Sequence, residues 1–273
     1  MTAQPTSTPA FAGSIPENYH TLLGPVLFET YGADMRDRLA AGRLPAGAHL
    51  LELACGTGIV TRQLLDALPH DARLTATDIS EPMLAFARPR LTEDPRLTLS
   101  RADACELSFA DGAFDAVFCQ YGVMFFADKI KAMREARRVL RPGGVYVFNV
   151  WDSLERNPIA GTIQRELDTL CPRDPPSFLR TPFGWYDRAE IERTTRAGGF
   201  TDVRVTELSA PCTAPDAQTA ARAFLMGTPL AVDLAERGVD MPGMLMHMTG
   251  VLASRFGAAP CRSVMNALVV EAR

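Results

Sequence analysis

The sequence lacks an excess of positive charge and a long uninterrupted apolar run. Its 28 Lys and Arg residues are outnumbered by 32 Asp and Glu residues, so the net charge is −4 and there is no basic excess of the kind that nucleic acid requires. The longest apolar stretch, residues 113–127, is interrupted by Asp115 and Gln120 and is too short to cross a bilayer. We therefore expect no nucleic-acid partner and no membrane span.

The six cysteines also lack the spacings of a metal site. They form no Cys-x-x-Cys pair, and no histidine stands at metal-ligand spacing from them. Cys55, Cys105 and Cys119 fall at expected strand ends or turns, where a thiol usually fills apolar space. The first 16 residues have neither the basic start nor the apolar centre of a signal peptide. These features predict reduced cysteines, no bound metal and a cytoplasmic protein.

A glycine-containing turn between a strand and a helix is the most informative segment. Residues 49–54 form a short apolar run typical of a buried strand, and residues 59–68 have the apolar spacing of a helix. Between them, Gly56 and Gly58 let the backbone approach a ligand closely, and the helix N-terminus adds unpaired N–H groups. The turn predicts a nucleotide-type site.

The residues around this turn distinguish two kinds of nucleotide site. A dinucleotide fingerprint places a third Gly or Ala at position 61, where this chain has Thr61. An acidic residue, Glu52, instead precedes the turn on the strand. Asp78 ends the next strand about 20 residues after the glycines, where a carboxylate binds ribose hydroxyls. A nicotinamide-dependent oxidoreductase is therefore the alternative, not the first choice.

Further strands are expected to end at the same edge. Residues 97–104 alternate and end near Asp103, whose carboxylate suits an adenine amino group, with the Ala104 N–H available to the ring. Residues 114–120 form a near-continuous apolar run, as in a central strand covered on both faces. Additional strands are expected over 145–150, 200–208 and 266–272, with helices over 128–140, 158–170 and 187–197.

These motifs resemble those of the class I S-adenosylmethionine (SAM)-dependent methyltransferases, in particular the UbiE-like branch with a type 11 methyltransferase domain. The matching stretches are Leu51–Gly58, with Ala54 in place of the usual first glycine, then Asp78–Leu84, Asp103-Ala104 and Val139–Gly144. The resemblance implies an α/β fold: a Rossmann-like, doubly wound, mostly parallel seven-stranded sheet with one antiparallel strand. An inserted helical cap accounts for residues 211–262, which are too many for a hairpin loop.

The resemblance also implies SAM as cofactor and S-adenosylhomocysteine as its product. Asp78 would bind the ribose, Ile79 and Met83 would contact adenine, and Gln120 would face the methionine half. Gln120 as an ordinary polar strand-end residue remains an open alternative. The expected cofactor-binding residues are Glu52, Ala54, Cys55, Gly56, Gly58, Asp78, Ile79, Met83, Asp103, Ala104 and Gln120.

The expected domain organisation is a disordered tail followed by one domain. The ranges are 1–14 for the tail and 15–273 for the methyltransferase domain, with a helical cover over 16–46, a SAM-binding core over 47–151 and cap or substrate segments over 152–186 and 211–262.

Aromatic residues and one histidine are candidates for binding the methyl acceptor. Aromatic residues of the helical cover and of the Pro-rich segment 171–186 can form a pocket wall, or can simply pack. His247, in a methionine-rich part of the insert, is a possible base. The substrate candidates are Tyr19, Phe28, Tyr31, Tyr121, Phe183, Trp185 and His247.

The predicted activity is methyl transfer to a small apolar or aromatic molecule by in-line displacement. Such a reaction mainly requires that donor and acceptor be held at near-attack distance, so neither a metal nor a catalytic triad is needed. A SAM-binding module without turnover is the second alternative. The oligomeric state and the acceptor's identity are not determined by the sequence.

Overall fold

Seven strands build one sheet in the computed structural model, which describes residues 11–42, 44–91 and 93–273. The strands are β1 (His49–Leu53), β2 (Arg73–Asp78), β3 (Leu97–Arg101), β4 (Phe114–Gln120), β5 (Leu140–Trp151), β6 (Val203–Ala214) and β7 (Cys261–Ala272). Their spatial order is β3-β2-β1-β4-β5-β7-β6. The first five are joined in parallel, and β7 runs antiparallel to both of its neighbours. The predicted doubly wound sheet with one antiparallel strand is confirmed.

Helices cover the sheet on both sides because the strand residues alternate between two apolar clusters. Leu51 and Val117 belong to one cluster, whereas Leu50 and Phe118 belong to the other. The helices are α1 (Ile15–Asn18), α2 (Glu29–Ala41), α3 (Ile59–Ala67), α4 (Glu81–Leu91), α5 (Lys129–Val139), α6 (Pro158–Leu170), α7 (Arg188–Ala197), α8 (Ala217–Met226), α9 (Leu230–Glu236) and α10 (Met241–Phe256).

The N-terminal cover contains an unusual helical segment. Residues Tyr19–Phe28 form a π-helix that connects α1 to α2. Pro25 lies inside it and has no N–H to donate, so a regular α-helix through this position would lack a hydrogen bond.

The expected tail over 1–14 falls partly outside the described residues. Residues 1–10 are not described. Phe11, by contrast, packs edge-on against Tyr19, Phe125 and Phe178, with ring centroids 6.0–6.4 Å apart. Residues 11–14 therefore belong with the folded domain, because an aromatic side chain at position 11 finds an apolar partner surface.

The two last strands are longer than their sequence pattern suggested. β6 and β7 pair over twelve residues each, so the inserted helices occupy residues 215–260 rather than 211–262. Cys212, Ala214 and Cys261 are buried where this strand pair meets the insert. These inward-facing residues lie outside the apolar runs from which the strands were predicted, so the predicted strands were too short. The insert itself is helical, as expected, and consists of α8, α9 and α10.

Candidate functional site

A large cavity opens at the carboxyl ends of β1, β2 and β4. The strand order reverses between β1 and β4, because β2 and β3 lie on one side of β1 and the later strands on the other. Ligands of open α/β sheets bind at such a switch point. The cavity, counted with its open mouth, encloses about 1290 Å³ and is lined there by Ala54, Gly56, Asp78 and Gln120. We call it the main cavity.

The turn after β1 takes the left-handed backbone conformation three times. The φ angles are 53° at Ala54, 57° at Gly56 and 83° at Gly58, and only the first belongs to a residue with a side chain. A Cβ on Gly58 would collide with the side chain of Leu91, so glycine is needed there for helix packing as well as for its backbone conformation. The turn can thereby bring its backbone close to a ligand.

Asp78 connects this turn to the end of β2. Its two carboxylate oxygens accept hydrogen bonds from the backbone N–H groups of Gly56 and Ser80, both at 2.8 Å. The side chain is 8% exposed, and burial raises its pKa even though these N–H groups act in the opposite direction. Each oxygen retains a further lone pair, so the carboxylate can still accept bonds from ligand hydroxyls.

Glu52 and Gln120 lie in a smaller side pocket next to the main cavity. The two spaces share Tyr19, Phe28, Ala54 and Gln120 among their lining residues. Oε2 of Glu52 and Oε1 of Gln120 are buried without a hydrogen-bond partner, while Nε2 of Gln120 donates to the carbonyl of Phe28 at 3.1 Å. Two buried acceptors without donors indicate a place for a ligand that donates hydrogen bonds.

The carboxyl of Glu52 has an unusual acidity. Its burial raises the pKa to about 8; the Thr61 hydroxyl opposes this shift and the nearby charge of Asp78 adds to it. Only 1% of the residue is exposed.

The remaining cofactor candidates lie along the same cavity. Ile79, Met83, Asp103 and Ala104 line the main cavity, with Ile79 38% exposed at its rim. Oδ1 of Asp103 accepts from the N–H of Cys105 at 2.8 Å, which fixes the carboxylate beside the end of β3. Cys55 lines the side pocket, whereas Gly58 contacts neither space and acts through the turn.

Four of the seven acceptor candidates line the main cavity: Tyr19, Phe28, Tyr121 and Phe183. Tyr19 stacks on Phe28 with ring centroids 4.6 Å apart. Tyr121 has a φ of 53° and stacks on Trp151 at 3.7 Å, and its buried hydroxyl has no partner. Non-glycine residues held in the left-handed backbone conformation are often found at functional sites.

The other three candidates lie elsewhere, which corrects the expectation. Tyr31 is buried and its hydroxyl donates to the carbonyl of Met265, and Trp185 donates to Glu190 at 3.1 Å. His247 lies on α10 with Nε2 2.9 Å from Glu166 on α6, and both side chains are partly exposed to solvent. None of the three lines the main cavity; each packs or pairs elsewhere in the fold.

Several lining residues were not among the named candidates. They come from the ends of β5 and α8 and from the segment before α7, and they are Trp151, Phe178, Leu179, Pro182, Phe224 and Thr228. The sequence marked segment 171–186 as a possible pocket wall, but only Phe183 and Trp185 were singled out there. Trp151 ends a strand parallel to β4, which is a signal that could have been used. Phe224 gave none, because a phenylalanine in an alanine-rich helix looks like ordinary packing.

Two kinds of feature are missing from the part of the chain that the structure describes. No three His, Cys, Asp or Glu side chains there are arranged to hold a metal ion. No described helix combines the length and the apolar character that a membrane crossing requires.

The chain is similar in sequence to known methyltransferases. A methyltransferase domain family matches residues 51–148. The demethylmenaquinone methyltransferase of Clavibacter sepedonicus is 31% identical over 196 residues, which are 66% of this chain and 77% of that protein. The ubiquinone/menaquinone biosynthesis C-methyltransferase UbiE of Paracoccus denitrificans is 42% identical over 101 residues, 36% of this chain and 40% of that protein.

A solved structure shares the whole fold. Phosphoethanolamine N-methyltransferase 2 of Haemonchus contortus, in complex with phosphomonomethylethanolamine and S-adenosylhomocysteine, matches with a TM-score of 0.60 and 17% identity over 94% of this chain and 56% of that chain. At this identity the match concerns the fold alone. The sheet order, the cavity at its switch point and the sequence relatives lead to one conclusion: the chain belongs to the class I SAM-dependent methyltransferases of UbiE type and methylates a small molecule with SAM as its cofactor.

Proposed function

We propose that the enzyme methylates a neutral, apolar or aromatic small molecule bound in the aromatic part of the main cavity. The observation that carries the proposal is the composition of the cavity lining. Its two carboxylates lie beside the ends of β2 and β3, and most of its other lining side chains are apolar or aromatic. We call six of the aromatic residues the aromatic wall: Phe28, Tyr121, Trp151, Phe178, Phe183 and Phe224.

The polar part has the groups that SAM requires. Asp78 retains lone pairs for the two ribose hydroxyls, and Asp103 can accept a bond from the adenine amino group. The unpaired oxygens of Glu52 and Gln120 suit the ammonium group of the methionine half. The fit rests on these unpaired acceptors, which have no partner within the protein.

The small number of charged groups in the lining of the main cavity favours an uncharged acceptor. Among the described residues that line the main cavity, only Asp78 and Asp103 carry a formal charge, and no Lys, Arg or His takes part. Burying a charged acceptor without a counter-ion would cost several kcal/mol. An apolar or aromatic acceptor instead gains free energy from leaving water, about 25 cal/mol per Å² of buried apolar surface.

The chemistry requires position more than reactive side chains. Bound SAM supplies an electrophilic methyl group on its sulfonium. The aromatic wall holds the acceptor and excludes water, while the turn after β1 and Asp78 fix the donor's orientation. Burial raises the pKa of both Tyr19 and Tyr121, so these hydroxyls remain protonated and can donate a hydrogen bond to an acceptor oxygen.

The test joins cofactor binding with methyl transfer. SAM and S-adenosylhomocysteine should raise the unfolding midpoint and NAD should not, because only a ligand of the native state stabilises it. Transfer of labelled methyl from SAM is then measured with demethylmenaquinone in oxidised and reduced form, the compound named for the Clavibacter sepedonicus relative, and with phosphoethanolamine. Transfer to the quinone-type compound supports the proposal. Transfer to phosphoethanolamine alone would contradict it, since that acceptor is charged.

A further inference from the structure

Glu52 is the buried ionisable group whose environment is least complete without a ligand. It is the penultimate residue of β1, is 1% exposed, and leaves Oε2 without a donor. The side pocket that it lines shares Ala54 and Gln120 with the lining of the main cavity. A carboxylate buried from bulk solvent in this way needs a cation or hydrogen-bond donors to stabilise its charge.

The surroundings of Glu52 contain no positive charge to replace that solvation. No Lys, Arg or His lines either the main cavity or the side pocket among the described residues. The nearest charged neighbour, Asp78, is itself acidic and disfavours a second negative charge. The titratable and polar groups around Glu52 and its side pocket are Asp78 from β2, Cys55 and Thr57 from the turn, Thr61 from α3, Cys119 and Gln120 from β4, and Tyr19 and His20 from the N-terminal π-helix.

We infer that Glu52 is protonated in the free enzyme and loses its proton when the ammonium group of the cofactor enters the side pocket, so that about one proton leaves the protein for each cofactor bound. The inference rests on the proposed placement of the cofactor's methionine half beside Glu52. The balance is simple: the carboxylic acid and the ammonium become a carboxylate–ammonium pair, and the released proton goes to the solvent. The raised pKa of Glu52, about 8, is consistent with this order of events.

The inference determines the sign of the pH dependence. Since the proton must leave, SAM affinity rises with pH while the free enzyme is mostly protonated at Glu52, by up to tenfold per pH unit. The rise ends near pH 8, where the free carboxyl ionises by itself and where an α-amino group, with a pKa of about 7.7–8.0, begins to lose its own proton. Measurements between pH 6 and 7 therefore isolate the protein's contribution.

The experiment is titration calorimetry with SAM and with S-adenosylhomocysteine at pH 6.5, in buffers of different ionisation enthalpy. The heat then reports the number of protons released. We expect about one proton from the wild-type enzyme and close to none from Glu52→Gln, which keeps the shape of the side chain. Glu106→Gln is the matched control, because that side chain is 85% exposed and should leave the proton count unchanged. Between pH 6 and 7 the affinity of the wild type should rise about tenfold and that of Glu52→Gln less than twofold.

A second measurement keeps the inference testable if Glu52→Gln binds too weakly for calorimetry. Infrared difference spectra of the wild type should show a protonated carboxyl band that disappears when S-adenosylhomocysteine binds. The free Glu52→Gln protein should lack that band. Its persistence after binding would overturn the inference.

The remaining outcomes distinguish a failure of this inference from a failure of the proposed function. Binding by the wild type without proton release would overturn the inference and leave the proposed function intact. Proton release that persists in Glu52→Gln would assign it to another group, such as Asp78 or His20, whose Nδ1 lies 3.1 Å from Thr57 of the side pocket. Absence of binding by either adenosyl compound would instead refute the placement of the cofactor itself.

Discussion

The methyl group of Ala54 occupies space that Gly122 leaves free. A Cβ on Gly122 would lie only 2.5 Å from Cβ of Ala54 and 2.7 Å from Sγ of Cys119. The sequence motif usually has glycine where this chain has Ala54, and the residue takes a φ of 53°. The pair therefore forms one packing unit, in which the glycine after β4 leaves room for the methyl group of the turn after β1.

Gly122→Ala should destabilise the protein by about 1–3 kcal/mol, because the added methyl overpacks a site with no free space. The measurement is the free energy of unfolding in denaturant. Gly250→Ala is the matched control, since nothing lies within 4 Å of a Cβ placed there and the residue is helical. The control should be neutral or stabilising by about 0.5–1 kcal/mol. Equal effects at the two positions would contradict the packing unit.

Ala54→Gly should partly rescue Gly122→Ala. Glycine relieves the left-handed conformation, worth about 1 kcal/mol, and removes the methyl that the new side chain would meet. A double-mutant cycle should give a favourable coupling energy of at least ~0.5 kcal/mol. Rescue should be incomplete, because the contact with Cys119 remains. Strict additivity would show that the two residues act independently.

Asp78→Ala should weaken SAM binding by about 1–3 kcal/mol, because charge-assisted hydrogen bonds to the ribose are lost. It should also destabilise the free protein, since the buried N–H of Gly56 loses its acceptor. Asp78→Asn retains one acceptor oxygen and should lose less of both. Calorimetry and denaturant unfolding separate the two effects. Unchanged SAM affinity in Asp78→Ala would refute the role of this carboxylate in cofactor binding.

Glu52→Gln should change the pH dependence of stability without any ligand. Burial raises the folded-state pKa of Glu52 to about 8, above the ordinary glutamate value of 4.5, so the folded state holds the proton more tightly. Wild-type stability should fall relative to Glu52→Gln as pH rises from about 4.5 to about 8, and the difference should then level off. The total change is about 3–5 kcal/mol at 1.36 kcal/mol per pKa unit. Unfolding curves at pH 5, 7 and 9 measure it, and a constant difference would contradict the protonated state.

Phe178→Ala should raise KM for the methyl acceptor about fivefold to twentyfold, because the aromatic wall loses apolar contact surface. The dissociation constant of SAM should change less than about twofold, since the carboxylates of the cavity are untouched. Tyr186→Ala is the control; that side chain is 43% exposed and does not line the cavity. The assay uses the acceptor that the labelling screen identifies. A selective loss of SAM affinity would place Phe178 in the cofactor half instead.

His247→Gln and Glu166→Gln should leave the pH–rate profile unchanged. The two side chains form a partly exposed pair outside the main cavity, and such pairs contribute about 0–1 kcal/mol to stability. Loss of the acidic limb in the pH dependence of kcat would restore His247 as a base. The pH–rate profiles of these variants therefore test whether His247 acts as a general base.

Most residues that the sequence proposes for the cofactor line one cavity or its side pocket, because the pattern that marks them is local. The glycine turn, Glu52 and Asp78 lie within 30 residues, and their spacing follows the ends of two adjacent parallel strands. The carboxyl ends of parallel strands lie at one edge of the sheet, so residues that follow adjacent strands in the sequence are also close in space. The fold class follows from the same alternation of strands and helices.

The acceptor part could not be predicted to the same depth because it is assembled from distant segments. Phe11, Trp151, Phe178 and Phe224 come together only through packing of the N-terminal segment, the end of β5, the segment before α7 and the inserted α8. An aromatic residue has the same pattern whether it lines a cavity or fills a core. Trp185 and Phe183, two residues apart, show this: only Phe183 faces the cavity.

By itself the sequence determined the sheet, the glycine turn and the residues that stand at its strand ends, since these depend on short-range periodicity and backbone conformation. The tertiary structure alone decided that Glu52 and Gln120 keep unpaired oxygens, that His247 pairs with Glu166 outside the site, and that Gly122 makes room for Ala54. These are relationships between groups far apart in the chain. Burial, hydrogen-bond partnership and free volume are properties of the packed molecule, so no local pattern encodes them.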